Sequence, residues 1–142
     1  MPIEDEASVE FHLPAKDSLG RSAVDGKIRF ADKTLFVHWK LRDRTFTRTQ
    51  NKLQTREFGV GEVEELRLDK GWFKTVLFLE IKDPRPLDEM PGVDMGKLEI
   101  RLPKSARAEA EKLVSVFDFE RSQWRADDSR RRLRELEQSE NG

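Results

Sequence analysis

The sequence predicts a mainly β (α+β) fold: seven short antiparallel strands in a barrel or sandwich, capped by one C-terminal amphipathic helix. Three observations carry this reading. Between residues 9 and 102 apolar side chains recur at every second position, the period of half-buried strands. Glycine, proline and charged pairs interrupt these runs at short intervals, as hairpin connections do. Past Pro103 the apolar period changes to that of a helix.

Taken in order, Val9, Phe11 and Leu13 alternate with Glu10 and His12 before Pro14 stops the run. Ile28 and Phe30 alternate with Lys27 and Arg29, and Asp32-Lys33 offers a tight turn into Leu35, Val37, Trp39 and Leu41, so a hairpin is expected over residues 23–42. A threonine-rich basic stretch leads to Phe58, with Gly59 and Gly61 as punctuation, then to a short strand with Leu66 and Leu68 on one face. Lys70-Gly71 reads as a turn into the strongest strand, WFKTVLFLEI, which is apolar on both faces and is expected to be central or covered on both sides. Residues 83–96 hold three of the six prolines and form a loop, and Leu98, Ile100 and Leu102 mark the last strand. Ala106, Ala110, Leu113, Val114 and Phe117 then make one helical stripe, with Ser105 as a candidate N-cap.

Composition excludes several classes. The 142 residues include 27 Lys or Arg and 28 Asp or Glu, and no cysteine. A disulfide scaffold, a thiolate zinc site and a cysteine nucleophile are therefore ruled out. No apolar run approaches the roughly 18–20 residues of a membrane-spanning helix, and the acidic start MPIEDEASVE lacks the apolar region of a secretory signal, so a cytoplasmic location is expected. Serine nucleophiles lack a glycine elbow, and GVGEV has neither the span nor the Lys-Ser/Thr of a phosphate loop. His12 and His38 lie on the alternate face of their strands, away from any carboxylate cluster, so neither a metal nor a cofactor is expected.

The net charge of −1 hides a segmental pattern. Residues 40–56 carry six basic residues against Asp43 alone, whereas residues 57–70 carry five acids against two bases. Strand alternation puts Lys40, Arg42 and Arg44 on one face, with Arg48 and Lys52 in the following loop. These five residues form a candidate anion site, since guanidinium and ammonium groups both accept phosphate. The competing reading is a solvated face paired with the acids of 57–70. A pI near 6.2 and a single aromatic, Phe46, within the cluster disfavour nucleic acid as a partner.

The hairpin KIRFADKTLFVHWKL, the segment EFGVGEVEELRL, the strand GWFKTVLFLEI and the ending KLEIRLPKSARAEAEKLVSVF together resemble the pleckstrin-homology-like (PH-like) barrel, particularly its small bacterial members and GRAM-type domains. The resemblance covers Ile28 to Phe117, and in it a residue such as Val63 turns inward before pairing resumes. It implies a PH-like domain over residues 8–120, an acidic extension over 1–7 and a charged tail over 121–142 that could extend the helix. It also implies a non-enzymatic interaction module. The first reading is a protein partner, and the alternative is peripheral binding of anionic lipid headgroups through residues 40–56, where Lys33, Lys40 and Arg42 fall in the family's basic spacing. The connecting turn is shorter than in lipid-binding members. Oligomeric state is left open. Trp39 and Trp72 are expected to pack the core, and Leu87, Met90, Val93 and Met95 to tuck over it.

Overall fold

The structure, a computed structural model, describes residues 7–14, 23–42 and 52–141. Strands β1 (Ala7–Leu13), β2 (Ala23–Ala31), β3 (Thr34–Arg42) and β4 (Gln54–Gly59) pair antiparallel in chain order as one sheet. Strands β5 (Val63–Lys70), β6 (Thr75–Ile81) and β7 (Lys97–Leu102) form a second antiparallel sheet, and a 35-residue helix, α1 (Arg107–Asn141), follows.

The expected hairpin turns at Asp32 and Lys33, both with positive φ (51° and 60°). That mirror-image geometry matches the twist of the flanking strands, although glycine or asparagine adopts it at lower cost. Alternation then decides the faces. Val9, Phe11, Ile28, Phe30, Leu35, Val37, Trp39 and Phe58 all point inward and are buried. Gly26 sits between Phe11 and Trp39 in the register, and the Phe11 ring lies so close that a Cβ there would clash with its Cζ.

In the second sheet Leu77, Leu79, Ile81, Leu98 and Ile100 are buried. Val63 and Leu66 both face inward despite their odd spacing, because the ladder slips at Val63/Glu65. Strand β6 is central in its sheet. The outer face of the strand is only half-buried: the Arg67 guanidinium lies 4.7 Å from the Phe78 ring centroid.

The two sheets are not closed into a barrel. The 3₁₀ turn Val60–Glu62 separates β4 from β5, which belong to different sheets, and β1 and β7 lie side by side without pairing. Both inner faces nevertheless share one core, and α1 packs across β1, β2 and β5, joining the sheets. Ala110, Leu113 and Phe117 are fully buried, and the Phe117 ring meets Phe30 edge-to-face at 5.7 Å. The helix starts from a 3₁₀ turn, Lys104–Ala106, that has no side-chain cap.

Past Phe117 the helix has two further anchors. Arg121 donates from Nη1 to the Glu64 carbonyl at 3.2 Å, and the Trp124 indole lies on Gly61. Beyond Arg125 the helix continues to Asn141, and from 126 to 139 almost every side chain is in solvent, supported by Arg130–Asp127 and the Arg131 and Arg132 pairs with Asp128. No helix among the described residues is long and apolar enough to cross a membrane.

Two expectations about packing are corrected. Trp72 is 90% exposed rather than packed in the core, because the ladder of β6 starts at Thr75 and residues 71–74 form the turn that precedes it. Met95 is exposed as well: it occupies a positive-φ position (54°) that turns the chain into β7, whereas Leu87 and Met90 do close over the core.

Candidate functional site

On the outer face of the first sheet, register assembles three cross-strand rows. Ser8, Arg29, Phe36 and Glu57 form one, Glu10, Lys27, His38 and Thr55 the next, and His12, Asp25 and Lys40 the third. An open groove of about 1010 Å³ runs over this face and is walled on the far side by the end of β7. Its cations are Lys27, Arg29, Lys40 and Arg101, against the carboxylates Glu10 and Asp25.

His38 is at the centre of this face. Its Nδ1 lies 3.0 Å from Thr55 Oγ1, its ring stacks parallel to Phe36 at 6.0 Å, and Arg29 covers the other end of the row, 4.2 Å from the Phe36 centroid. Partial burial, then the charge of Arg29, then that of Lys27 hold the imidazole below its ordinary pKa of 6.5. Two cations thus disfavour a third positive charge here, the sign of field that attracts an anion. At the edge of the sheet, His12 Nδ1 lies 2.8 Å from Asp25 Oδ1, which ties β1 to β2 and occupies one carboxylate of the groove.

Of the five residues of the sequence-predicted anion site, Lys40, Lys52 and the backbone of Arg42 are among the described residues. Lys40 is exposed on the groove face. Arg42 pairs through its backbone with Ala23 at the end of β3. Lys52 is exposed just before β4. Arg44 and Arg48, like Phe46, lie outside the described residues. Arg56, the last base of the segment, fastens β4 to the 83–96 loop: its Nε donates to the Pro86 carbonyl at 2.9 Å and its Nη2 lies 3.6 Å from Glu89.

Three of the five acids of 57–70 have partners within their own segment. Glu65 and Asp69 flank Arg67 within their own strand, Glu62 accepts from the Gly59 N–H at 2.9 Å, and Lys70 reaches Glu111 of the helix at 3.1 Å.

Lys27, Arg29 and Arg101 are the groove cations that reading charge along the chain missed, because they sit outside the basic run. For Lys27 and Arg29 the hairpin itself offers the clue. Counting outward from the Asp32-Lys33 turn pairs Lys27 with His38 and Arg29 with Phe36. Among the described residues no group of three or more His, Asp or Glu side chains is arranged to hold a metal ion.

Comparison with family models, with curated proteins and with solved structures finds no match to this chain. The functional reading therefore stands on geometry and chemistry.

Proposed function

We propose that the chain is a non-enzymatic interaction module with a PH-like arrangement of strands and helix, and that it binds an anionic, phosphate-bearing ligand on the outer face of its first sheet. The arrangement is supported by four strands and then three, in chain order, followed by a helix that crosses both sheets. The observation that carries the ligand class is the groove itself, which Lys27, Arg29, Lys40 and Arg101 line together with His38, Lys27 standing directly opposite the histidine in the register. Phosphate oxygens suit such a cluster, since charge-assisted hydrogen bonds are about twice as strong as neutral ones.

The test is titration of the chain with inorganic phosphate and with anionic vesicles at low and physiological salt, beside Lys27→Glu/Lys40→Glu. Binding that weakens with salt and disappears in the reversal variant, with an unchanged melting temperature, is the expected result. Equal binding by the variant removes the groove as the site.

A protein partner is the second reading, and one observation favours it. Phe119, Ala126 and Leu133 recur at seven-residue spacing on α1, with Ser122, Ser129 and Leu136 three residues after each. Phe119, Leu133 and Leu136 are 54%, 59% and 63% exposed. Such a seam fits a second helix. Sedimentation of the full chain against one ending at Arg125 tests self-pairing: concentration-dependent mass only in the full chain supports it.

A further inference from the structure

Strands β5 and β6 are joined by Gly71–Lys74, and the two central side chains of this turn stand almost wholly in water: Trp72 is 90% exposed and Phe73 95%. Large aromatics gain from leaving water, so an adjacent pair at a hairpin tip calls for an occupant.

The tip is held firmly. The Gly71 N–H donates to the Lys74 carbonyl at 2.9 Å. Arg107, the first residue of α1, donates from Nη2 to the Gly71 carbonyl at 3.3 Å and from Nε to Thr75 Oγ1 at 3.1 Å. Thr75 itself is buried. One guanidinium thus grips both sides of the turn and leaves the aromatic pair pointing away from the core.

What surrounds the pair identifies the occupant. Lys70 and Lys74 flank it in sequence and are exposed, Lys70 also lying 3.1 Å from Glu111, and Lys104 is exposed in the turn that leads to Arg107. Asp69 and Ser105, near the same end of the sheet in sequence and register, are exposed as well. Protein hot-spot aromatics sit at the centre of a desolvated patch. A protruding aromatic wedge with a lysine collar fits a bilayer interface instead. There the Trp ring lies at headgroup depth with its N–H wet, and lysine stems reach along the apolar boundary to lipid phosphates.

The register also relates the tip to the groove. Thr75 pairs with Leu102 and Val76 with Arg101, and Arg101 and Leu102 line the groove. Both surfaces therefore share the end of the second sheet where β6 begins and β7 stops.

We propose that the Trp72–Phe73 tip inserts into the interface of an anionic bilayer while Lys74 and Lys104 engage lipid phosphates. This rests on the anionic-ligand reading and assigns the bilayer, rather than a soluble phosphate, as the source of the anion.

The experiment is co-sedimentation of the full chain with neutral phosphatidylcholine vesicles and with vesicles containing phosphatidylserine, alongside a titration with inorganic phosphate. Three variants run beside it: Trp72→Ala/Phe73→Ala, Trp72→Phe, and the groove reversal Lys27→Glu/Lys40→Glu. Loss of the aromatic pair is expected to weaken anionic-vesicle binding about tenfold or more, the effect of large side chains that no longer leave water, without changing the melting temperature. Trp72→Phe is expected to retain binding but lose most of the quenching of tryptophan emission that brominated acyl chains cause in the wild-type chain, since Trp39 is buried in the core and Trp124 rests on Gly61, several helical turns along α1 from the tip.

Undiminished vesicle binding by the double-alanine variant, with loss in the groove reversal, overturns insertion and leaves the groove reading standing. The same division follows if inorganic phosphate binds and vesicles do not. Quenching as strong in Trp72→Phe as in the wild type also overturns insertion. Failure of both phosphate and vesicles to bind overturns the groove reading, and insertion with it.

Discussion

Trp124 lies on Gly61 so closely that a Cβ on the glycine would stand 2.6 Å from the indole Cζ2. This contact pins the helix to the turn between the two sheets. Gly61→Ala is expected to destabilise the fold by about 1–3 kcal/mol, the usual cost of overpacking, and to move Trp124 emission to the red. Adding Trp124→Ala removes the clash, so the double variant is expected to be more stable than the sum of the single losses predicts. Chemical denaturation of the four chains measures the coupling, and strict additivity would mean the indole does not rest on the glycine.

Phe117 is the deepest helix contact, fully buried and edge-on to Phe30. Phe117→Ala is expected to lose about 3–5 kcal/mol through lost burial and a residual cavity. Leu133→Ala, at an exposed position of the same helix, is expected to change the unfolding midpoint very little. Similar losses at the two sites would show that the distal helix is packed against something.

Lys33 is held in the left-handed region at φ 60°. An L-residue there costs roughly 1–2 kcal/mol that glycine largely avoids. Lys33→Gly is therefore expected to raise the stability of the β2–β3 hairpin and of the whole chain, as read from the denaturant midpoint. A lower midpoint would show that the lysine side chain makes a contact worth more than its backbone strain.

His38 predicts a pH dependence. Its folded pKa is lowered by partial burial and by Arg29 and Lys27, so below 6.5 the unfolded chain binds the proton more readily than the folded one. Stability is expected to rise with pH from the depressed folded value up to about 6.5, and this contribution to level off above it. Glu10, across the same row of strands, is the nearest-row acid that opposes the two cations. A bound phosphate favours the protonated ring, so its pKa is expected to rise on binding, and affinity to increase as pH falls through that range. NMR titration of the His38 ring with and without phosphate checks this. An unchanged curve would place the anion elsewhere.

The elements were legible because their signals are local. Val9-Phe11-Leu13 and Leu98-Ile100-Leu102 show the two-residue period within a few positions, and Ala110, Leu113 and Phe117 show the helical one. Trp72 shows where locality fails. WFKTVLFLEI reads as one strand, but pairing with β5 and β7 begins only at Thr75. Apolar composition alone does not say where a ladder starts. The candidate site was partly legible for the same reason: Lys40 was visible as an outward strand residue, whereas Lys27 and Arg29 joined it only through the register of β2 against β3.

Local sequence is enough for the approximate strand and helix segments, the Asp32-Lys33 hairpin and the inward stripe of α1, because each depends on side chains a few residues apart along one backbone. That the sheets stay unclosed, that Lys27, Arg29, His38 and Lys40 share one face, that Trp124 needs Gly61 beneath it and that Trp72 and Phe73 face water emerge only when the segments pack together. Those outcomes depend on which segments meet across space, and that is settled by burying a common core, a quantity no single segment carries.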